Sequence, residues 1–226
     1  MRYLIVFITL LLSVTFYGQN DYSMSFDGVD DYVDFTEPSI FENLSTSNFS
    51  IVMSVRISDF TSTGCDGSTS NYVSILRNDS NYNLLIKDSK LTAEILIDGV
   101  YIQAYSNVTL ESNLFYNIAC VWQESSFKFY INEIIDEAIM STTSYNSNFN
   151  SSLLLGGGGP YCQYFHGLID NVQIWNEALT QQEIQQYMSC PPTGNEEGLV
   201  GYWNFEEGSG TTAYDQTANG NDGAIN

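Results

Sequence analysis

The stretch His166-Gly-Leu-Ile-Asp-Asn-Val-Gln-Ile-Trp-Asn-Glu-Ala-Leu-Thr-Gln-Gln-Glu-Ile184 reads as a strand running straight into a short helix. Val172 and Ile174 alternate with Asn171, Gln173 and Trp175, the period-two pattern of a strand with one buried face. Thr180 followed three residues later by Glu183 forms a capping box, which satisfies two orphan backbone N–H groups and opens a helix over 180–188. Ile169 is one residue out of phase with Val172 and Ile174. A β-bulge near Asp170 reconciles the two phases, and bulges re-aim side chains.

Working outward, strands dominate. Phe49, Ile51, Met53, Val55 and Ile57 alternate with more polar neighbours, as do Leu91, Ala93, Ile95 and Ile97. Asp98-Gly99 then predicts a tight hairpin into Val100, Ile102 and Ala104, because both residues tolerate positive φ. A second hairpin is expected at Asn132-Glu133, and further strands at 22–26, 31–35, 72–77, 82–87, 116–122 and 152–155. Many short strands with regular turns and one helix predict an all-β, two-sheet antiparallel sandwich with one short C-terminal helix.

The chain has 226 residues, with 27 acidic residues against six Lys and Arg and a formal charge of −21. Such a surface repels nucleic acid and anionic lipid, both of which bind through Lys and Arg. Residues 1–18 read as a secretory signal peptide: Arg2, then an apolar run from Leu4 to Phe16, then Gly18 near the cleavage point. That run is too short to span a bilayer comfortably. The expected location is therefore extracellular, secreted or at the cell surface, without membrane insertion once the signal is cleaved. There the four cysteines can form disulfides. Four cysteines allow three pairings. Cys65 and Cys162 both lie in Gly-rich loops and are the favoured pair; Cys120 alternates with Ile118 and Trp122 and is expected as a buried thiol.

Phe26-Asp-Gly-Val-Asp-Asp-Tyr-Val-Asp-Phe35 and Gly167-Leu-Ile-Asp-Asn-Val-Gln-Ile-Trp-Asn176 resemble the first and last strands of laminin-G-like jelly-roll domains in the concanavalin A-like superfamily. Tyr116 to Trp122 and Phe129 to Glu133 resemble that family's central strands, although the family usually has Gly where this chain has Glu133. The resemblance covers 21–189 and implies a jelly roll of the secreted tandem type found in bacteria. Residues 190–197 read as a linker. Residues 198–226, with Leu199-Val-Gly-Tyr-Trp-Asn-Phe205, resemble the opening of another such domain. They are expected to be the start of a truncated second repeat, with further tandem domains in the parent protein, or a strand returning to the first domain's edge.

Calcium takes several oxygens from carboxylates and carbonyls. The Asp27-Gly-Val-Asp30-Asp31 turn offers both, and in related jelly rolls a calcium sits where first and last strands meet. The resemblance therefore implies a structural Ca²⁺ on Asp27, Asp30 and Asp170. Asp215 to Gly220 begins like an EF-hand loop but lacks flanking helices and the closing Glu, and reads as a turn. Glu133, Asp136 and Glu137 are wrongly spaced for a glycosidase pair on one strand face. His166 has no partner motif marking a nucleophile. Tyr161, Tyr164 and Phe165 flank Cys162, and a Cys65–Cys162 bond would bring Asp66 beside them as a ligand patch. The functional expectation is a non-catalytic binding or adhesion module for an extracellular glycan or protein. The alternatives are an accessory targeting domain of a larger carbohydrate-active enzyme, and a structural spacer.

Overall fold

A computed structural model describes residues 22–35, 48–78, 82–97, 100–144, 152–157 and 162–226. The expected signal peptide, the Asp98-Gly99 turn and Tyr161 lie outside these residues. The strands are β1 Met24–Asp27, β2 Val33–Phe35, β3 Phe49–Asp59, β4 Ser62–Thr63, β5 Thr69–Ser70 and β6 Tyr72–Asn78. Next come β7 Tyr82–Lys87, β8 Lys90–Ile97, β9 Val100–Tyr105, β10 Phe115–Gln123, β11 Ser126–Ile131 and β12 Ile134–Glu137. The chain continues through β13 Ile139–Ser144, β14 Leu153–Leu155, β15 His166–Trp175, helix α1 Gln181–Ser189, β16 Leu199–Trp203, β17 Thr212–Ala213 and β18 Gly223–Ile225.

Two antiparallel sheets form the sandwich. The seven-stranded sheet runs β1-β15-β3-β10-β11-β12, with β16 also on β15; the nine-stranded sheet runs β13-β9-β8-β7-β6-β14-β2-β18-β17. Between them lies one apolar core, supplied by alternate residues such as Ile51, Met53, Val55, Leu84, Ile86, Ile118 and Phe129. β8 and β9 pair antiparallel from Thr92↔Tyr105 to Ile97↔Val100.

β15 has the expected irregularity. Its register with β3 slips between Asp170 and Gln173, and Asn171 holds a positive φ of 52°. The extra residue lets Ile169, Val172 and Ile174 all face the core, where each is fully buried. The bulge also divides one side of β15. Residues 166–169 pair with β1 and residues 172–175 pair with β16, so two short strands share one long neighbour. Tyr202 of β16 donates its hydroxyl to Asn171 Oδ1 at 2.9 Å, locking the bulge. Burial, followed by the nearby Asp170 carboxylate, pushes the Tyr202 hydroxyl well above its ordinary pKa, so it stays a donor.

Helix α1 has the capping box: Thr180 N donates to Glu183 Oε2 at 2.8 Å, and Glu183 N donates to Thr180 Oγ1 at 3.3 Å. Ile184 is its buried anchor, set with Trp175, Leu179, Val52 and Val121 in a smaller cluster on the outer face of the seven-stranded sheet.

In this structure residues 199–226 lie in the same sandwich. β16 extends one sheet, while β18 pairs with β2 and β17 with β18 in the other. This is the pairing that strands returning to the first domain's sheets would make. Trp203 is completely buried against Phe35, at 4.4 Å between ring centres, and donates Nε1–H to Asn221 O. The Asp215 segment is a turn: its carboxylate accepts from Tyr202 N, Thr217 N, Thr217 Oγ1 and Asn221 N, which pins the tail to β16.

Candidate functional site

The site residues gather at one end of the sandwich, where β1 and β3 finish and β15 begins. β1 ends in the acidic turn. Asp27 Oδ1 accepts from Val29 N at 2.7 Å, and Asp27 N donates to Asp31 Oδ2 at 2.8 Å. Gly28, at φ +82°, lies flat on His166; a Cβ there would meet His166 Cβ at 2.9 Å. One carboxylate oxygen each from Asp27, Asp30 and Asp31 falls within 4.8 Å of the others. Calcium–oxygen bonds of about 2.3–2.6 Å put ligands on opposite sides of an ion about 5 Å apart, so this spread fits the ion.

Asp170 is not part of that cluster. Asp27 is paired with His166, and Asp170 lies four residues further along β15, about 13 Å at the rise of a strand. The bulge turns its carboxylate onto its neighbour instead: Oδ1 accepts from Asn171 N and Oδ2 from Asn171 Nδ2. Asp31 occupies the third position that the sequence reading gave to Asp170.

Cys65 and Cys162 are joined, with Cα atoms 5.1 Å apart. Cys120 is a buried free thiol whose pKa burial pushes far up, and Cys190 is free and exposed. Asp66 is exposed on the tied loop, and the Ser68 hydroxyl and N–H hold its carboxyl below the usual range. Tyr164 is half-buried; burial, then Tyr32 and Asp30, raise its hydroxyl, which places it electrostatically beside the acidic turn. Phe165 corrects the expected patch: it is fully buried, edge-on to Phe26 at 5.9 Å, and belongs to the core.

Alongside the tied loop opens a polar recess of about 350 Å³, lined by Ser58, Asp59, Phe60, Thr61, Asn71, Asp88, Ser89 and Ser112. Seven of these carry a hydroxyl, amide or carboxylate, and Phe60 adds a partly exposed ring. Asp59 accepts from the Thr61 N–H and hydroxyl, which lower its pKa, with a smaller contribution from His166. Asp88 and Ser89 form the β7–β8 turn at φ 51° and 61°. The sequence reading missed this recess, because its residues come from four separate turns with no shared motif.

A second polar feature crosses the outer face of the nine-stranded sheet: Arg77, Asn83, Glu94, Gln103 and Ser141 stand opposite one another across five strands. Glu94 accepts from Gln103 at 2.7 Å, Asn83 at 3.2 Å and Tyr72 at 3.3 Å, while Arg77 donates to Gln163 at 3.0 Å. Tyr72 follows Asn71 of the recess, so the two polar regions adjoin. Their signal in the sequence was a polar residue, Arg77, Asn83, Glu94 or Gln103, set within each of four largely apolar strands.

The Glu133–Glu137 run does not form an acid pair. Asp136 is buried and accepts from Asn107 N, Asn107 Nδ2 and Val108 N, while Glu133 is exposed in the hairpin turn.

An antiparallel jelly roll with an acidic turn at the junction of its first and last core strands defines a laminin-G-like class. The chain belongs to the laminin-G family of the concanavalin A-like lectin/glucanases superfamily, whose model matches residues 27–185. Among solved structures, it is similar to a Bacteroides ovatus protein described as carbohydrate-binding (TM-score 0.68, 18% identity), covering 90% of this chain and 57% of that one. It also resembles the CBM40 of Ruminococcus gnavus IT-sialidase, solved with α2,3-sialyllactose (TM-score 0.53, 14% identity, 74% and 96% covered). A third is domain 4 of the Geobacillus stearothermophilus arabinanase AbnA, solved with arabinotriose (TM-score 0.51, 16% identity, 73% and 75% covered). No curated protein sequence matches the chain. No helix among the described residues is long and apolar enough to cross a membrane.

Proposed function

We propose that this is a secreted, non-catalytic glycan-binding module that holds a structural calcium. The observation carrying this reading is the polar recess. Its volume of about 350 Å³ accommodates a sugar ring, its hydroxyl, amide and carboxylate groups match sugar hydroxyls, and the Phe60 ring offers an apolar face for stacking. The Cys65–Cys162 bond ties the neighbouring loop, limiting the ordering entropy of binding, and suits an oxidising, extracellular setting. Calcium on Asp27, Asp30 and Asp31 would neutralise three like charges and stiffen the same end of the sandwich. Modules of this fold solved with sialyllactose and arabinotriose set the first ligands to test.

The test is a glycan array with the purified protein, in calcium and in chelator. Retention of a defined glycan class in calcium, weakened by chelator, supports the proposal. A folded protein that retains no glycan overturns it. Glycan binding insensitive to chelator, with no calcium heat in calorimetry, removes the metal alone.

A further inference from the structure

We propose that β13 pairs antiparallel with β13 of a second copy, joining two nine-stranded sheets into one continuous sheet. β13 is the outermost strand of its sheet, and among the described residues nothing pairs with its free side. Edge strands normally block such pairing with Lys, Pro, a bulge or a short length. β13 has six residues, Ile139-Met-Ser-Thr-Thr-Ser144, without Lys or Pro, and its register with β9 is unbroken from Ile139↔Tyr105 to Ser144↔Val100. Ile139 is 44% exposed and Met140 38%.

Charge selects the occupant. The chain carries −21, so two copies repel wherever their carboxylates meet. Residues 138–165 contain no Asp, Glu, Lys or Arg, and neither does β9. This edge is therefore a strip two strands wide on which two copies approach without facing carboxylates. A basic partner would be drawn to the acidic surfaces instead. Among the other edges, β1 and β17 are only four and two residues long, and β12 shows Ile134 at 71% exposure but is flanked by Glu133 and Glu137, which face their own copies unfavourably. An isologous pair needs no second patch, because the same strand serves both sides. Cross-strand partners must share a face, so the dyad passes through Ser141 or Thr142. With the dyad at Thr142, which is exposed, the two copies of that residue stand directly opposite; with the dyad at Ser141 they are diagonal neighbours on one face, about 7–8 Å apart.

The test is sedimentation equilibrium from micromolar to several hundred micromolar protein. The wild type should dimerise, and added salt should tighten the dimer by screening the remaining repulsion. Thr142→Asp and Thr142→Lys should each weaken self-association by on the order of tenfold, because like charges then stand across the dyad. An equimolar mixture of the two folded variants should recover it. Ile134→Asp, on the other edge, should leave it unchanged. A monomeric wild type over the whole range overturns the proposal, as does a dimer unaffected by either charge at 142.

Discussion

Replacing Trp203 with Ala probes whether the last strands share the sandwich core. Trp203 is completely buried, packed on Phe35, and bonded to Asn221 O. Its neighbours cannot close the void. A Cβ on Gly201 would meet the Trp203 ring at 2.3 Å, and one on Gly223 would meet Val33 and Phe35 at 2.5–2.7 Å, so backbone without side chains surrounds this part of the core. Truncating a buried Trp costs about 3–5 kcal/mol, with the larger losses where the site cannot collapse. At about 2–4 °C per kcal/mol for a domain of this size, the melting temperature should fall by roughly 6–20 °C. Thermal and urea unfolding, followed by near-UV circular dichroism and by fluorescence of Trp122 and Trp175, should show one transition shifted as a unit. Tyr214→Ala, at an exposed position of the same tail, should change stability by less than about 0.5 kcal/mol. A Trp203→Ala protein destabilised by less than about 1 kcal/mol, or one with a separate early transition and an unmoved main one, would refute the shared core.

Three further outcomes are expected. Asn171→Ala should destabilise by about 2 kcal/mol, combining a non-glycine positive φ with the lost Tyr202 bond, whereas Asn171→Gly should lose only about 1 kcal/mol; urea midpoints showing Gly no better than Ala would contradict the bulge assignment. Cys65→Ser with Cys162→Ser opens a cross-link spanning 97 residues, and should lower unfolding free energy by up to about 4.5 kcal/mol, read by urea titration. The Glu177 carboxyl is raised by burial, then by Glu183 and Glu197, so its folded pKa exceeds its ordinary value and its ionised form opposes folding at neutral pH. Glu177→Gln should therefore raise the melting temperature at pH 7, and that gain should vanish as pH falls through the raised pKa to below the ordinary glutamate range; an equal gain at both extremes would count against it.

The fold was largely legible because its signals are local. Period-two alternation placed most strands, Thr180 and Glu183 placed the helix, and the phase error at Ile169 located the bulge one residue from Asn171. The disulfide was legible as one of three pairings, since Cys65 and Cys162 both sit in loops. Where the tail goes was not legible: a strand's pattern states that one face is buried, not against which neighbour, so Leu199–Trp203 read first as the start of a new domain and second as a returning strand. That Asp170 would lie apart from Asp27 and Asp30 was not legible for a related reason. A bulge announces that a side chain is re-aimed, but its target, here the Asn171 amide, is fixed by backbone geometry. Phe165 looked like a loop aromatic until its pairing with Phe26 put it inside. The recess at Asn71 and Asp88 is assembled from separate turns, and only tertiary structure brings them together.

The central claim, saccharide binding in that recess, is tested most directly by calorimetric titration of the best array glycan into the wild type, Asn71→Ala and Asp88→Asn. Both positions are exposed and lie outside the core, so the variants should fold and melt like the wild type. Asn71→Ala removes a polar partner of the sugar and Asp88→Asn replaces a charged acceptor with a neutral amide, and each should weaken binding by on the order of tenfold. Unchanged affinity in both variants, with the glycan still bound, would place the ligand elsewhere and contradict the account.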